Sequence, residues 1–249
     1  MWDKPHLLRF IANALSSISL MLVFYSGVRY VLYLPMFSLR AVELTAIPLH
    51  VDAVGLERVV HENVKGNFFT VDLDRTRLAF EQLPWVRKVS VRRKFPWSLQ
   101  IDLEEHMAVA RWNRDGSPDK LGTELVNSYG EVFSANCKEA LPEFIGQNEN
   151  SAQIASMYVE LSGILKPLQQ TIAQISLSPR LSWQLHLNNG MVLALGREQM
   201  QSRLTRFVAA YPYSLANLPH SASNFDLRYR DGFAAYVPGR MVMRTGKDS

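Results

Sequence analysis

Cysteine is almost absent from this chain of 249 residues, which contains only Cys137. A single cysteine excludes an internal disulfide and any cysteine-rich metal cage. The six histidines do not replace such a cage, because no two of them have the i, i+4 spacing of a helical metal site. They are His6, His50, His61, His106, His186 and His220. We therefore expect no metal centre, and nothing in the sequence indicates a cofactor.

Motifs for nucleophilic and phosphate chemistry are also missing. The chain has no Gly-x-Ser-x-Gly elbow, no Walker lysine loop and no Gly-x-Gly-x-x-Gly turn. The nearest carboxylate pairs are Asp72 with Asp74 and Glu104 with Glu105. The first pair is placed to complement the dipole of a helix start, and the second lies at a strand end. This pattern predicts a protein that is not an enzyme.

An apolar run without charge lies between Arg9 and Arg29, where nineteen residues extend from Phe10 to Val28. A helix rises about 1.5 Å per residue, so this run spans roughly the hydrocarbon core of a bilayer. A tilted helix would extend from Phe10 to Leu34 and leave residues 1–9 as a tail. The alternative is a cleaved signal peptide, but bulky residues follow the run where small ones would mark cleavage.

Residues 35–105 have the pattern of a small α+β domain with the order β-α-α-β-β. Val42 and Leu44 alternate with polar residues as in a strand, and Asp52 is placed to cap the first helix. Three further elements complete the domain: a helix from Asp74 to Gln82, and strands from Val86 to Arg93 and from Leu99 to Glu105. The second helix is expected to end before Pro84, because proline disfavours helical geometry in the residue that precedes it.

Residues 106–240 predict a second domain, built on a mostly antiparallel sheet with helices. The predicted strands are Met107 to Trp112, Glu124 to Asn127, Glu131 to Ser134, Thr171 to Leu177, Ser182 to Leu187, Met191 to Leu195, Asn224 to Tyr229 and Phe233 to Val237. Two helices interrupt them, Ala152 to Leu165 and Glu198 to Tyr211. Asn189-Gly190 and Asp231-Gly232 predict hairpin turns. The chain after Gly239 is predicted to fray, with 241–249 as a flexible tail.

Several phrases of both domains occur in a familiar order. They are Gly66-Asn67-Phe68-Phe69, Leu83-Pro84-Trp85-Val86-Arg87, Leu125-Val126-Asn127, Gly130-Glu131-Val132-Phe133, Trp183-Gln184-Leu185, Leu195-Gly196-Arg197 and Asp226-Leu227-Arg228-Tyr229. With them the chain closely resembles the FtsQ/DivIB family of bacterial cell-division proteins. The resemblance implies a POTRA domain, an FtsQ-type β domain, a cytoplasmic N-terminus, and a periplasmic body at the division septum. The charges that flank the apolar run nearly balance, so this orientation rests on the resemblance.

Thr45 to Pro48 departs from the family, which usually has a glycine after the first strand. The departure puts the geometry of that turn in doubt more than the fold.

The resemblance also implies a partner-binding site at the C-terminal strands. In the family these strands bind the small coiled-coil protein FtsB, which comes with FtsL. The positions carried over are Tyr229 and Gly232 at the interface, Phe233, Ala234, Ala235 and Tyr236 as the strand edge, and Arg180 as a further contact. On pattern alone, the strand from Phe233 to Val237 is either an open edge that accepts another strand or one covered by its own domain.

Basic residues cluster beside Trp85 and Trp97; they are Arg87, Lys88, Arg92, Arg93 and Lys94. A nucleic-acid surface would look similar, but a solvated strand face is the commoner explanation. An exported, membrane-anchored domain does not meet nucleic acid, so we expect no such partner. Contact with anionic lipid headgroups or an acidic protein is left open.

Two classes of function follow. The first is a non-enzymatic scaffold in the inner membrane that binds FtsB and FtsL and helps recruit and regulate septal peptidoglycan synthesis. The second is a membrane-anchored envelope enzyme or sensor with a ligand pocket in the second domain. Co-purification with FtsB would separate them. A POTRA-bearing transport component would need a β-barrel or repeated POTRA modules, which the sequence does not show. Weak self-association is left open.

Overall fold

The computed structural model describes residues 5–33, 37–114, 116, 123–214, 224–229, 232–237 and 240–245. The chain divides into two compact units, Met1–Glu105 and His106–Ser249. Together they have the predicted α+β architecture: an N-terminal apolar helix, a POTRA-like unit and a unit built on a mostly antiparallel sheet.

The first helix, α1, runs from Pro5 to Leu32. Its segment Arg9–Leu32 has a mean hydropathy of 1.6, and none of the most apolar window is buried in the protein. Large apolar side chains such as Phe10 and Leu20 are mostly exposed. Such a surface is stable in lipid and not in water, so α1 has the length and composition of a membrane span. The predicted end at Leu34 lies outside the described residues.

After α1, the described residues of the first unit form five elements in the predicted order: β1 (Ala41–Leu44), α2 (Ala53–Asn63), α3 (Leu73–Glu81), β2 (Val86–Lys94) and β3 (Ser98–Glu105). In the three-stranded sheet, β3 lies between β1, which is parallel to it, and β2, which is antiparallel. Side chains of Asp52 and Asp72 accept hydrogen bonds from the first turns of α2 and α3. The core between helices and sheet contains Leu56, Phe80, Val86, Val89 and Ile101.

The segment after β1, where the family glycine is missing, is held by Glu105 at the end of β3. Its carboxylate accepts hydrogen bonds from the backbone N–H groups of Leu49, His50 and Val51 at 2.9, 3.0 and 2.9 Å. Burial raises the pKa of the Glu105 carboxyl, but these three N–H groups outweigh it, and the net pKa is lowered. The Glu105 carboxylate therefore holds residues 49–51 in place, where relatives would use a turn that contains glycine.

Replacing Glu105 by Gln is expected to lower the free energy of unfolding of the first unit by about 2 kcal/mol at neutral pH, because hydrogen bonds to charged acceptors are strong. The pKa is lower in the folded state, so this stabilisation is complete above the unfolded pKa, about 4.3. It is lost as the pH falls through the folded pKa. Denaturation of the full chain in detergent should show that wild type and E105Q converge in acid. The matched control is Glu62→Gln, an exposed carboxylate on α2; an equal loss there would contradict the role of Glu105.

The described residues of the second unit form ten strands in one sheet. They are β4 (Ala108–Asn113), β5 (Glu124–Asn127), β6 (Val132–Ser134), β7 (Glu143–Ile145), β8 (Ile172–Leu177), β9 (Trp183–Leu187), β10 (Val192–Gly196), β11 (Asn224–Asp226), β12 (Gly232–Val237) and β13 (Arg240–Thr245). The spatial order is β13-β12-β11-β10-β9-β8-β7-β4-β5-β6. Helices α4 (Ser151–Leu165) and α5 (Met200–Ser214) pack on it. Its fully buried side chains include Trp112, Phe144, Ile154, Ile175, Leu185 and Phe207.

Most predicted elements of this unit are confirmed. Gly190 has φ +84° and joins antiparallel β9 and β10, as the Asn-Gly pair predicts. Strand β11 is shorter than predicted and ends at Asp226. Asp231, the other predicted turn residue, lies outside the described residues.

Two strands were not predicted. Strand β7 has only three residues, too few for a recognisable period, and lies between the parallel neighbours β4 and β8. Strand β13 follows Gly239, so the prediction of a frayed tail is wrong for residues 240–245. These residues pair with β12 in antiparallel register from Val237↔Arg240 to Gly232↔Thr245. The Pro238-Gly239 pair before an apolar triplet, Met241 to Met243, was the available signal.

Candidate functional site

Strand β12, the predicted partner-binding edge, lies inside the sheet. It pairs with β11 on one side, with Asn224 opposite Tyr236, and with β13 on the other. The prediction that Phe233 to Val237 form an open edge is therefore wrong. The cause is local: the next strand in the chain, β13, pairs antiparallel with β12. It satisfies the N–H and C=O groups of β12 that would otherwise be unpaired. Among the described strands, β13 is the last one at this end.

The residues of β12 are tied into the core of the second unit. The Phe233 ring lies perpendicular to that of Phe207 on α5, with centroids 5.8 Å apart. Ala234 and Ala235 are buried. Strand β12 is therefore a rigid support, and substitution of Phe233 would disturb folding as well as any binding. Tyr229, by contrast, is 47% exposed just before β12 and lies outside the buried core.

An ion pair organises the connection from β11 to β12. The Arg228 guanidinium donates to both Asp226 oxygens, from Nε to Oδ1 at 2.8 Å and from Nη2 to Oδ2 at 2.6 Å. The Arg228 backbone N–H donates to Oδ1 at 3.0 Å. Hydrogen bonds from the guanidinium hold the pKa of the Asp226 carboxyl below its ordinary value, although partial burial opposes them. This arrangement fixes the backbone that leads to Tyr229, and explains why Asp226 and Arg228 occur two residues apart.

Arg180 lies exposed in the turn between β8 and β9. Arg180 does not belong to the connection that precedes β12. The end of β8 and the end of β11 nevertheless lie on the same side of the sheet, since β9 is antiparallel to β8 and β10, and β10 is parallel to β11. Pro179 of that turn and Arg228 of the β11–β12 connection line one cleft of about 730 Å³. The structure therefore brings Arg180 and Tyr229 to one end of the second unit, although they are far apart in sequence.

The same cleft is the ligand pocket that an enzyme or sensor would use. Polar side chains of β8 and β9 line it, on the face opposite core residues such as Ile175 and Leu185. The hydroxyl of Ser176 donates to the Gln184 carbonyl at 3.5 Å, so it is not oriented by a histidine. Burial lowers the pKa of His186, and its ring nitrogen lies 3.3 Å from the Gln184 side-chain amide. Within the described ranges, no group of three or more His, Cys, Asp or Glu could hold a metal ion.

Helix α1, the β-α-α-β-β unit and the ten-stranded sheet define a membrane-anchored POTRA protein with a second, sheet-based domain. A family model for the POTRA domain, FtsQ-type, matches residues 37–106, and one for cell division protein FtsQ/DivIB, C-terminal, matches residues 110–228. The chain belongs to the FtsQ/DivIB family of cell division proteins. The match to the C-terminal family model ends at residue 228, so β12 and β13 lie beyond it.

Relatives similar to this chain over most of its length carry the name cell division protein FtsQ. The protein of Nitrosospira multiformis is 36% identical over 240 residues, which cover 94% of this chain and 98% of the relative. That of Burkholderia pseudomallei is 35% identical over 255 residues, covering 99% of each. That of Bordetella pertussis is 34% identical over 259 residues, covering 94% of this chain and 92% of the relative. These similarities give the chain a role in cell division.

Proposed function

We propose that the chain is a non-enzymatic scaffold of the division machinery. In this proposal α1 holds it in the inner membrane, with the N-terminus in the cytoplasm and both units in the periplasm at the septum. There it binds FtsB and FtsL and, with other division proteins, helps recruit and regulate septal peptidoglycan synthesis. The observation that carries the proposal is that β13 and β12 are the last two strands on one side of the sheet, and that the exposed Tyr229 lies just before β12.

Partner binding is proposed to use β12 after β13 has left it. Strand β12 is the more firmly held of the two, because Phe233 and Ala235 belong to the core of the second unit. Strand β13 has one strand neighbour among the described residues, so its departure breaks a single ladder. A strand of FtsB could then form equivalent backbone pairs along Gly232–Val237, with Gly232, Phe233, Ala234, Ala235 and Tyr236 as backbone partners.

Side-chain contacts are proposed at the end of the sheet where β12 begins. Tyr229 and Arg180 lie at that end, and a partner segment that continues past the strand would meet both. Exposed tyrosine and arginine are the residue types that most often dominate the energy of an interface. The Asp226–Arg228 pair keeps the backbone before Tyr229 in one conformation, which lowers the entropy lost on binding.

Replacing Tyr229 by Ala is expected to weaken binding of the FtsB–FtsL complex by about 10- to 100-fold, because truncation of a central aromatic residue costs roughly 2 kcal/mol or more. The side chain is 47% exposed and outside the buried core, so the loss of stability should be small compared with the loss of binding. Binding of the full chain in detergent is measured by biolayer interferometry. The matched control is Tyr213→Ala, since Tyr213 is 87% exposed on α5.

The two results that would contradict the proposal are distinct. Wild-type affinity in Tyr229→Ala would show that the interface lies elsewhere on the chain. Absence of binding by the wild-type chain itself would overturn its role as a scaffold for FtsB and FtsL.

A further inference from the structure

A short loop of the first unit is bonded to the end of the membrane helix. The Asn67 side-chain amide donates to the backbone carbonyl of Leu32, in the last turn of α1. The other atom of the same amide, Oδ1, accepts from the backbone N–H groups of Phe69 and Thr70, both at 3.0 Å. The Phe68 N–H donates to the Phe37 carbonyl at 2.9 Å. The loop therefore lies directly beside the point where the chain leaves the membrane span.

Aromatic rings collect around this loop. Phe69 lies edge-on to both Phe37 and Phe68, with centroids 5.0 and 5.2 Å away, and Phe68 lies 6.1 Å from Phe95. Phe95 is 77% exposed, Phe69 42% and Trp97 41%. We call Phe37, Phe69, Phe95 and Trp97 the aromatic face. Exposed rings grouped on a folded domain often mark a contact surface.

One cationic side chain contacts the aromatic face and two others lie near it in the chain. The Arg40 guanidinium lies over the Trp97 ring at 4.8 Å. Arg92, three residues before Phe95, and Lys65, next to the bonded loop, are exposed. Within the described part of the first unit, no carboxylate forms a salt bridge with any of these three cations. They therefore remain available to an anionic partner outside the protein.

Three other members of the predicted basic cluster, Arg87, Arg93 and Lys94, are already engaged. Arg87 pairs with Glu104 at 2.7 Å and Lys94 with Glu43 at 2.6 Å. The Arg93 guanidinium donates to the carbonyls of Phe68 and Val71 at 2.8 and 2.9 Å, which fastens the loop to β2. The basic run is thus divided. Arg87, Arg93 and Lys94 make contacts within the first unit, whereas Lys88 and Arg92 are exposed.

We propose that the aromatic face docks on the bilayer surface, with its rings at headgroup level and Arg40, Arg92 and Lys65 on anionic lipid phosphates. The partner is lipid because the face is bonded to the end of a membrane-spanning helix, which keeps it within a few residues of the bilayer. Aromatic rings that lie among cations are the composition of membrane interfaces. Docking fixes the orientation of the β-α-α-β-β part of the first unit relative to the membrane surface. This inference does not depend on FtsB binding.

The test uses the full chain, with Cys137→Ser, reconstituted in vesicles of phosphatidylcholine and phosphatidylglycerol. Phe95→Cys carries an environment-sensitive fluorophore, and lipids with a nitroxide near the headgroup quench it. The matched control is Leu49→Cys, since Leu49 is 87% exposed and its N–H is bonded to Glu105 at the far end of β3. That strand places it roughly 23 Å from the Phe95 turn, at 3.3 Å per residue.

Quenching at position 95 is expected to exceed quenching at position 49 by about threefold or more, as an interfacial site requires. Omitting phosphatidylglycerol, or replacing Arg40 or Arg92 by Glu, should lower the docked fraction, by about fivefold for each charge. A second label at Ser38→Cys, an exposed residue bridged to Asn67 of the bonded loop, should behave like position 95 even if Phe95→Cys perturbs the turn. Equal quenching at positions 95, 38 and 49 would overturn the proposal.

Discussion

Deleting residues 240–249 is expected to tighten binding of the FtsB–FtsL complex by about tenfold, because only the fraction of molecules with β12 uncovered can accept a partner strand. In the intact chain β13 is paired with β12 at six positions. Removing β13 removes the competition, while β12 remains supported by Phe233 and by its pairing with β11. The measurement is the dissociation constant of the full and shortened chains in the same detergent.

Two proline variants serve as matched controls that keep the chain at full length. Val242 and Met243 are opposite Ala235 and Ala234, and successive N–H groups of a strand point to opposite sides. One of Val242→Pro and Met243→Pro therefore removes an N–H from the ladder with β12, and the other removes one from the outer edge. The first should bind as the deletion does, and the second as the intact chain does.

Loss of binding on deletion would contradict strand exchange. It would mean that the partner adds to the outer edge of β13.

Replacing Gly130 by Ala is expected to cost the second unit about 3 kcal/mol or more of its free energy of unfolding, since overpacking and left-handed backbone strain act together. Gly130 has φ +80°, and a Cβ there would lie 2.2 Å from the Cα of Ala152 in the first turn of α4. The contact cannot relax easily, because the Ser151 hydroxyl donates to the Gly130 carbonyl at 2.6 Å. The Asn127 side chain also fixes this hairpin, through its Oδ1 and the Glu131 N–H at 2.9 Å.

The control is Gly163→Ala, on the exposed side of the same helix. An added Cβ at Gly163 meets nothing within 4 Å, so alanine should stabilise α4 by about 1 kcal/mol through its higher helix propensity. Thermal unfolding of the full chain in detergent, followed by near-ultraviolet circular dichroism, reports both changes. A Gly130→Ala variant that melts with the wild type would show that the hairpin and α4 do not pack as described.

The first unit could be predicted almost completely because its signals are local. The end of α3 before Pro84 and the alternation of Val89 and Val91 depend only on backbone preference and on which side of each element is buried. The cap at Asp52 was predicted for the same reason. The loop bonded to Glu105 required the structure, because its three N–H donors come from residues far from Glu105 in the sequence.

The candidate site was predicted less well. Its residues were carried over from a family resemblance, and the structure shows Tyr229 exposed and Arg180 at the same end of the sheet. The open edge at Phe233 to Val237 was wrong, because a strand's period reports which face is buried and not whether a neighbour lies on each side.

The sequence by itself determined the membrane span, the two domains' elements and the family, since apolar length and periodicity are properties of neighbouring residues. The tertiary structure alone decided which strand ends the sheet, which basic residues are paired, and that Asn67 is bonded to the end of α1. Those outcomes depend on distances between residues that are remote in the chain. Hydrogen bonds and ion pairs between such residues form only after the elements have packed together.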